Sequence, residues 1–226
     1  MPSTSGEKYR KETMRRTTIG LLFLAVVMLI PGHVRGDDLG GCKEQFEFAE
    51  ALFAQDDFYR AIGEYKRLIF LCPAATELCE KAYFKIGVCY FRAKEWQKAI
   101  DVFTPFLGSF TDSPMAGEAM YLKGMCEKNL SLHSRALRTF DYIIQTEIGE
   151  RRAKAIYQSA LILVDMENWK RAGEMFSQVP EESVLYNSAG IFSEGLENIT
   201  NLPHKSPVVA GTLAAILPGA GHLYTE

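Results

Sequence analysis

The sequence predicts an all-α chain built of stacked helix pairs, and three observations carry that expectation. Four alanines, Ala61, Ala99, Ala136 and Ala172, recur at steps of 38, 37 and 36 residues. Each is followed four residues later by a ring (Tyr65, Phe103, Phe140, Phe176) and preceded three residues earlier by Phe58, Trp96, His133 or Trp169. Twelve residues before each alanine stands a small residue: Ala49, Gly87, Gly124 or Ala160. Internal repetition at this period is the signature of a repeat architecture. No segment alternates apolar and polar residues in the strand pattern.

The offsets assign the elements in order. The small residue marks a first helix whose backbone a second helix approaches closely, and the alanine marks that second helix at the point of approach. The flanking rings fill the gaps. Cys42 begins the first helix of the first pair, Cys72 ends its second helix, and Cys79 opens the next pair. Over Ala82–Arg92, Tyr83, Ile86, Gly87 and Tyr90 share one helical face. Pro73, Pro114 and Pro180 fall between pairs, where a fixed φ and a missing N–H end helices at little cost. A further half-pair follows over Ser183–Glu197.

Tyr83, Gly87, Tyr90, Trp96, Ala99 and Phe103 together resemble the tetratricopeptide repeat, and the resemblance extends over Cys42–Val179. It implies a helix-pair solenoid of about four repeats plus a half-repeat, curved into a superhelix with a concave face. The copies are similar to those of periplasmic assembly proteins, including the lipoprotein of the outer-membrane β-barrel machinery and the coordinator of the Tol-Pal system.

The ends differ in composition from the body. Residues 1–36 carry a basic leader (Lys8, Arg10, Lys11, Arg15, Arg16), the apolar run Ile19–Ile30 and a break at Pro31-Gly32. Val34-Arg35-Gly36 then offers a cleavage site, so the segment reads as a secretory signal. Twelve apolar residues fall short of the roughly 20 a membrane helix needs. Leu39-Gly40-Gly41-Cys42 resembles a lipobox, but Arg35, Asp37 and Asp38 separate it from the apolar run. The expected organisation is a signal peptide at 1–36, the solenoid at 37–200, and a linker with an apolar tail at 201–226. Within that tail, 208–224 carries no Asp, Glu, Lys or Arg, and Leu217-Pro218-Gly219-Ala220-Gly221 resembles the start of a membrane segment in bacterial envelope proteins. Without residues 1–36 the chain keeps 19 basic and 26 acidic residues, a net charge of −7. That argues against nucleic acid, whose binding rests on clustered Lys and Arg.

Three residues before each small residue lies a further ring: Phe46, Phe84, Tyr121 and Tyr157, continued by Tyr186 before Ala189. In the tetratricopeptide architecture that position faces the concave groove. The resemblance therefore implies a partner-binding surface of Phe84, Phe91, Arg92, Tyr121, Met125, Lys128, Tyr157, Leu161 and Tyr186. Rings and aliphatics edged by Lys43, Lys81 and Lys154 suit a peptide or helix with apolar anchors. The competing reading is that the rings only pack helix against helix. Grooves that clamp a terminal carboxylate place Lys or Asn at the ring position, unlike this chain.

Five cysteines allow at most two bridges in an oxidising compartment. Cys42, Cys72 and Cys79 meet at one edge of a helix hairpin. Cys72–Cys79 is the nearest pair in sequence and Cys42–Cys72 the alternative, whereas Cys89 and Cys126 occupy equivalent places in successive repeats and read as buried thiols.

No metal-binding, redox or nucleophile motif stands out, and His33, His133, His204 and His222 are scattered. Gly219-Ala220-Gly221 follows an apolar run rather than a strand, against a phosphate loop. The expected function is a non-enzymatic scaffold in the bacterial envelope, exported to the periplasm, without cofactor, metal or small-molecule substrate. Its partner is a protein or peptide, with membrane contact through 208–224. The alternative is a docking or sensory domain of a membrane transporter or insertion factor whose further membrane helices are missing.

Overall fold

A computed structural model describes residues 39–200, and among them there are nine helices and no strand. In chain order they are α1 (Leu39–Ala54), α2 (Phe58–Leu71), α3 (Thr76–Arg92), α4 (Trp96–Ser109), α5 (Ala116–Asn129), α6 (His133–Thr146), α7 (Gly149–Asp165), α8 (Trp169–Phe176) and α9 (Tyr186–Thr200). They form four pairs and a single closing helix. The expected signal peptide and the apolar tail lie outside the described residues.

One turn is used four times. Three residues join the helices of each pair, and the middle one is left-handed: Asp56 (φ 58°), Lys94 (59°), Ser131 (57°) and Glu167 (57°). The next N–H reaches back five residues, from Asp57 to the Leu52 carbonyl (3.0 Å), Glu95 to Tyr90 (2.9 Å), Leu132 to Glu127 (2.9 Å) and Asn168 to Leu163 (2.8 Å). This Schellman closure satisfies carbonyls that a helix end leaves open. Asp57 and Asn168 then cap the following helix, accepting from the N–H of Arg60 and Arg171 at 3.4 Å.

The repeat residues meet as their volumes require. Ala61, Ala99, Ala136 and Ala172 are fully buried, as are Tyr65, Phe103 and Phe140, with Phe176 nearly so. A methyl group added to Gly87 would overlap the Phe103 ring, and one on Gly124 would stand 2.9 Å from Phe140. In the outer pairs Ala49 and Ala160 take the same place.

Successive pairs stack through a second set of small side chains. Ala119 and Cys126 of α5 join the core of α4, and Ala155 and Ile162 of α7 join that of α6. First helices also touch one another, α3 with α5 and α5 with α7, while no two second helices pack to that degree. The stack is therefore tighter on its first-helix side.

The closing helix departs from the expected register. Its inner face carries Ala189 and Leu196, both in the α7–α8 core, and Leu185 just before the helix packs against the same core. Ser193 donates to the Gly173 carbonyl at 3.1 Å. Ala189 and Leu196 thus hold the places of Ala155 and Ile162, a step of 34 residues rather than the 29 that pairs Ala160 with Ala189. The short α8, only 8 residues long, lets α9 enter early and rotated. Tyr186 consequently stands outside the ring row, exposed, with its Oη 3.5 Å from Glu181. Ile191 takes the row position and is 74 % exposed.

The disulfide joins Cys42 to Cys72 rather than Cys72 to Cys79. The hairpin sets the first residues of α1 against the end of α2, with a Cα–Cα distance of 6.1 Å. Cys79, one turn into α3, keeps its thiol and donates it to the Cys72 carbonyl at 3.2 Å. A bridge closing a separation of 30 residues contributes about 3–4 kcal/mol in the chain-entropy account.

Candidate partner-binding faces

Four rings of the predicted row sit in one arrangement. Each rests on the buried ring of its own pair, 19 residues later in sequence. Centroid separations are 5.7 Å for Phe46–Tyr65, 6.2 Å for Phe84–Phe103, 5.8 Å for Tyr121–Phe140 and 5.2 Å for Tyr157–Phe176. All four row members are half-buried. One side of each ring covers the core and the remainder meets solvent on the first-helix side. Aromatic pairs at these distances add about 0.5–1.5 kcal/mol beyond area burial.

Their expected neighbours divide by position. Met125 and Leu161 are half-buried against the cores beneath Tyr121 and Tyr157. Phe91 is half-buried and lies edge-on to Trp96 at 5.3 Å. Arg92 pairs with Asp56 at 3.1 Å and lies 5.7 Å from the Phe58 ring centroid. The edge lysines Lys43 and Lys154 are exposed, and Lys81 pairs with Glu77 at 2.6 Å within its own helix.

Charge differs along the row. In the first two pairs, Lys85 bonds Glu50 at 2.6 Å and lies 4.8 Å from the Phe53 centroid, so cation and carboxylate neutralise each other. Glu50 also accepts from the buried Tyr65 hydroxyl, and burial pushes that phenol well above its usual range. In the third and fourth pairs, Lys128 donates to the neutral Gln158 amide at 2.8 Å. Burial lowers the Lys128 pKa, opposed by the charge of Asp165. Burial likewise raises the Tyr121 hydroxyl, opposed by its hydrogen bond with Gln158.

Two features escaped the sequence reading. Glu127 is only 2 % exposed, holds the Thr139 hydroxyl at 2.6 Å and pairs with Arg135 at 3.2 Å. Arg135 and Thr139 lie four residues apart on α6, and that spacing opposite a lone Glu was the available signal. The other is a hollow of about 660 Å³ on the second-helix side, between α2 and α4. Its floor is Tyr83 and Ile86 of α3, and its walls include Phe70 and Val102. A smaller recess of about 240 Å³ follows between α4 and α6.

Among the described residues no group of three or more His, Cys, Asp and Glu is placed to hold a metal ion. None of the described helices is long and apolar enough to cross a membrane.

Comparison with known proteins places this geometry. A tetratricopeptide-repeat family model matches residues 81–113. No curated protein sequence matches the chain. Among solved structures, a tetratricopeptide repeat protein from Parabacteroides merdae superposes with a TM-score of 0.57 at 18 % identity, over 78 % of this chain and 67 % of that one. YrrB, described as a TPR protein with an unusual peptide-binding site, gives 0.53 at 19 % identity over 80 % and 91 %. MamA from Desulfovibrio magneticus gives 0.53 at 16 % identity over 88 % and 98 %. The shared pattern and these superpositions make the fold an all-α tetratricopeptide-repeat solenoid.

Proposed function

We propose that this tetratricopeptide-repeat solenoid is an exported, non-enzymatic scaffold that holds a peptide or helix of a partner protein along its first-helix side. The observation that carries the reading is the row Phe46, Phe84, Tyr121 and Tyr157. Each ring is fixed from below by a core ring and half open above. A ring held in one rotamer offers contact area at low entropy cost, which is what a binding anchor needs. The tighter first-helix side brings neighbouring anchors together, so an extended or helical segment spans several of them. YrrB supports a peptide as the ligand class by likeness of fold.

Export rests on the basic and apolar leader and is supported by the Cys42–Cys72 bridge, since disulfides persist in oxidising compartments. The bridge also engages the Cys42 sulfur that lipidation requires, which favours cleavage after Gly36. The charge-free stretch 208–224 favours a place beside a membrane.

The test is the double variant Tyr121→Ala with Tyr157→Ala, assayed by crosslinking capture from the envelope fraction and by thermal melting. Each lost anchor is expected to weaken partner binding by about 1–3 kcal/mol. A double variant that captures the same partners as the parent protein overturns the reading.

A further inference from the structure

The second-helix hollow is a mostly apolar opening of about 660 Å³, and its two walls are unlike each other. Phe70, on the α2 wall, is 82 % exposed. Apolar exposure concentrated beside a concave apolar surface marks an interaction site. The α2 wall also carries Lys66, which has no ion-pair or hydrogen-bond partner among the described residues. The α4 wall carries Asp101, whose only polar side-chain contact among the described residues is the neutral Gln97 amide at 2.8 Å. Pro105 lies one turn beyond Asp101 and removes the N–H that the Asp101 backbone carbonyl would accept within the helix. The α4 wall is thus doubly an acceptor, and the α2 wall is a donor.

We propose that two copies of the chain associate face to face across this hollow, about a two-fold axis in the interface plane and parallel to α2 and α4. That operation lays the α2 wall of each copy on the α4 wall of the other, as an isologous contact requires. Lys66 of each copy then faces Asp101 of the other, because the two lie within one helical turn of the same height. Counted from the repeat alanines, Lys66 is five residues past Ala61 and Asp101 two past Ala99. Phe70, nine past Ala61, falls at the height of Gly108, nine past Ala99. Gly108 is exposed, and a side chain built there would meet nothing within 4 Å. A large exposed ring therefore opposes open space on the other copy. A two-fold axis perpendicular to the helices would instead set lysine against lysine, so the charges choose the orientation.

Sedimentation of the full chain over about a hundredfold concentration range tests this, with dimer dissociation constants compared as ratios. The parent protein is expected to dimerise, and Phe70→Glu to be monomeric with unchanged melting. Lys66→Asp and Asp101→Lys are each expected to weaken the dimer by tenfold or more. An equimolar mixture of those two variants should recover parental affinity as a heterodimer, since one intermolecular pair keeps its original sense and the other is restored with its sign reversed. Recovery in the mixture is beyond any effect on the fold of one chain. A parent protein that stays monomeric, a dimer indifferent to Phe70→Glu, or a mixture no tighter than its components each overturns the proposal.

Discussion

The two sides of the stack are built from the same helices and differ in what repeats. On the first-helix side a ring returns at one position in every pair, always over a buried partner ring 19 residues on. On the second-helix side nothing comparable returns: the places of Phe70 are taken by Gly108 in the next pair and Gln145 in the third. The lesson is that packing inside a pair enforces a pattern, while the space between neighbouring pairs is left to whatever the surface carries. A regular row and an irregular hollow then follow from one architecture.

The sharpest way to break this contrast is to compare a row ring with the ring beneath it. Phe140→Ala is expected to cost about 3–5 kcal/mol of stability because it empties a fully buried site. Tyr121→Ala, which removes a half-buried ring, should cost about 1–2 kcal/mol, the smaller share of a full side-chain burial. Denaturant unfolding of the two variants decides it. Equal losses would make the row part of the core.

Glycine substitutions give the next largest effect, with opposite signs on the two sides. Gly124→Ala drives a methyl against the Phe140 and Thr139 side chains and should destabilise by about 1–3 kcal/mol. Gly63→Ala, in α2 with open space around it, should stabilise by up to about 1 kcal/mol through helix propensity. Melting curves that move in the same direction for both would mean the tight approach at Gly124 is not rigid.

The smallest effect is absent at neutral pH. Cys89 and Cys126 are fully buried, and burial pushes each thiol up to about 12. The folded chain therefore binds these protons more tightly than the unfolded chain. Stability is complete below the unfolded thiol range near 9 and falls as pH rises toward 12. Replacing both by Ala should flatten that alkaline slope, measured as unfolding free energy against pH, whatever it does to stability at pH 7. Burial of the Tyr65 hydroxyl adds to the slope only above its ordinary value of 10.0. An unchanged slope between 9 and 10 would mean the thiols titrate freely.

The helix pairs and the contact between small residue and ring were legible because both ends of that contact recur at fixed offsets. Their volumes are complementary: Gly87 has no side chain where Phe103 needs the room. The ring row was legible as a row, but its dual character was not. Whether Tyr121 covers a core or stands free depends on Phe140 lying beneath it, which only the turn at Ser131 arranges. Phe91 has the same dual character: it is half-buried, and Trp96 folds back across the turn to meet it edge-on. The buried Glu127 stands where Leu52 and Leu163 occur in other pairs, so the repeat pattern pointed to an apolar residue there.

Taken alone, the sequence determined that the body is a set of helix pairs, where one pair gives way to the next, and which residues make the closest approach. Helical spacing decides which side chains share a face, and a methyl or a ring either fits a given gap or does not. Tertiary structure decided the rest. Cys42, and not Cys79, reaches Cys72, because closing the first hairpin sets the ends of α1 and α2 at 6.1 Å while Cys79 turns its thiol to a carbonyl. α9 slid out of register because α8 stops after 8 residues and leaves room beside Gly173. The hollow between α2 and α4 lies on the side where second helices do not close on one another. These outcomes turn on distances between elements, which are set by every side chain in the stack at once and by no local pattern.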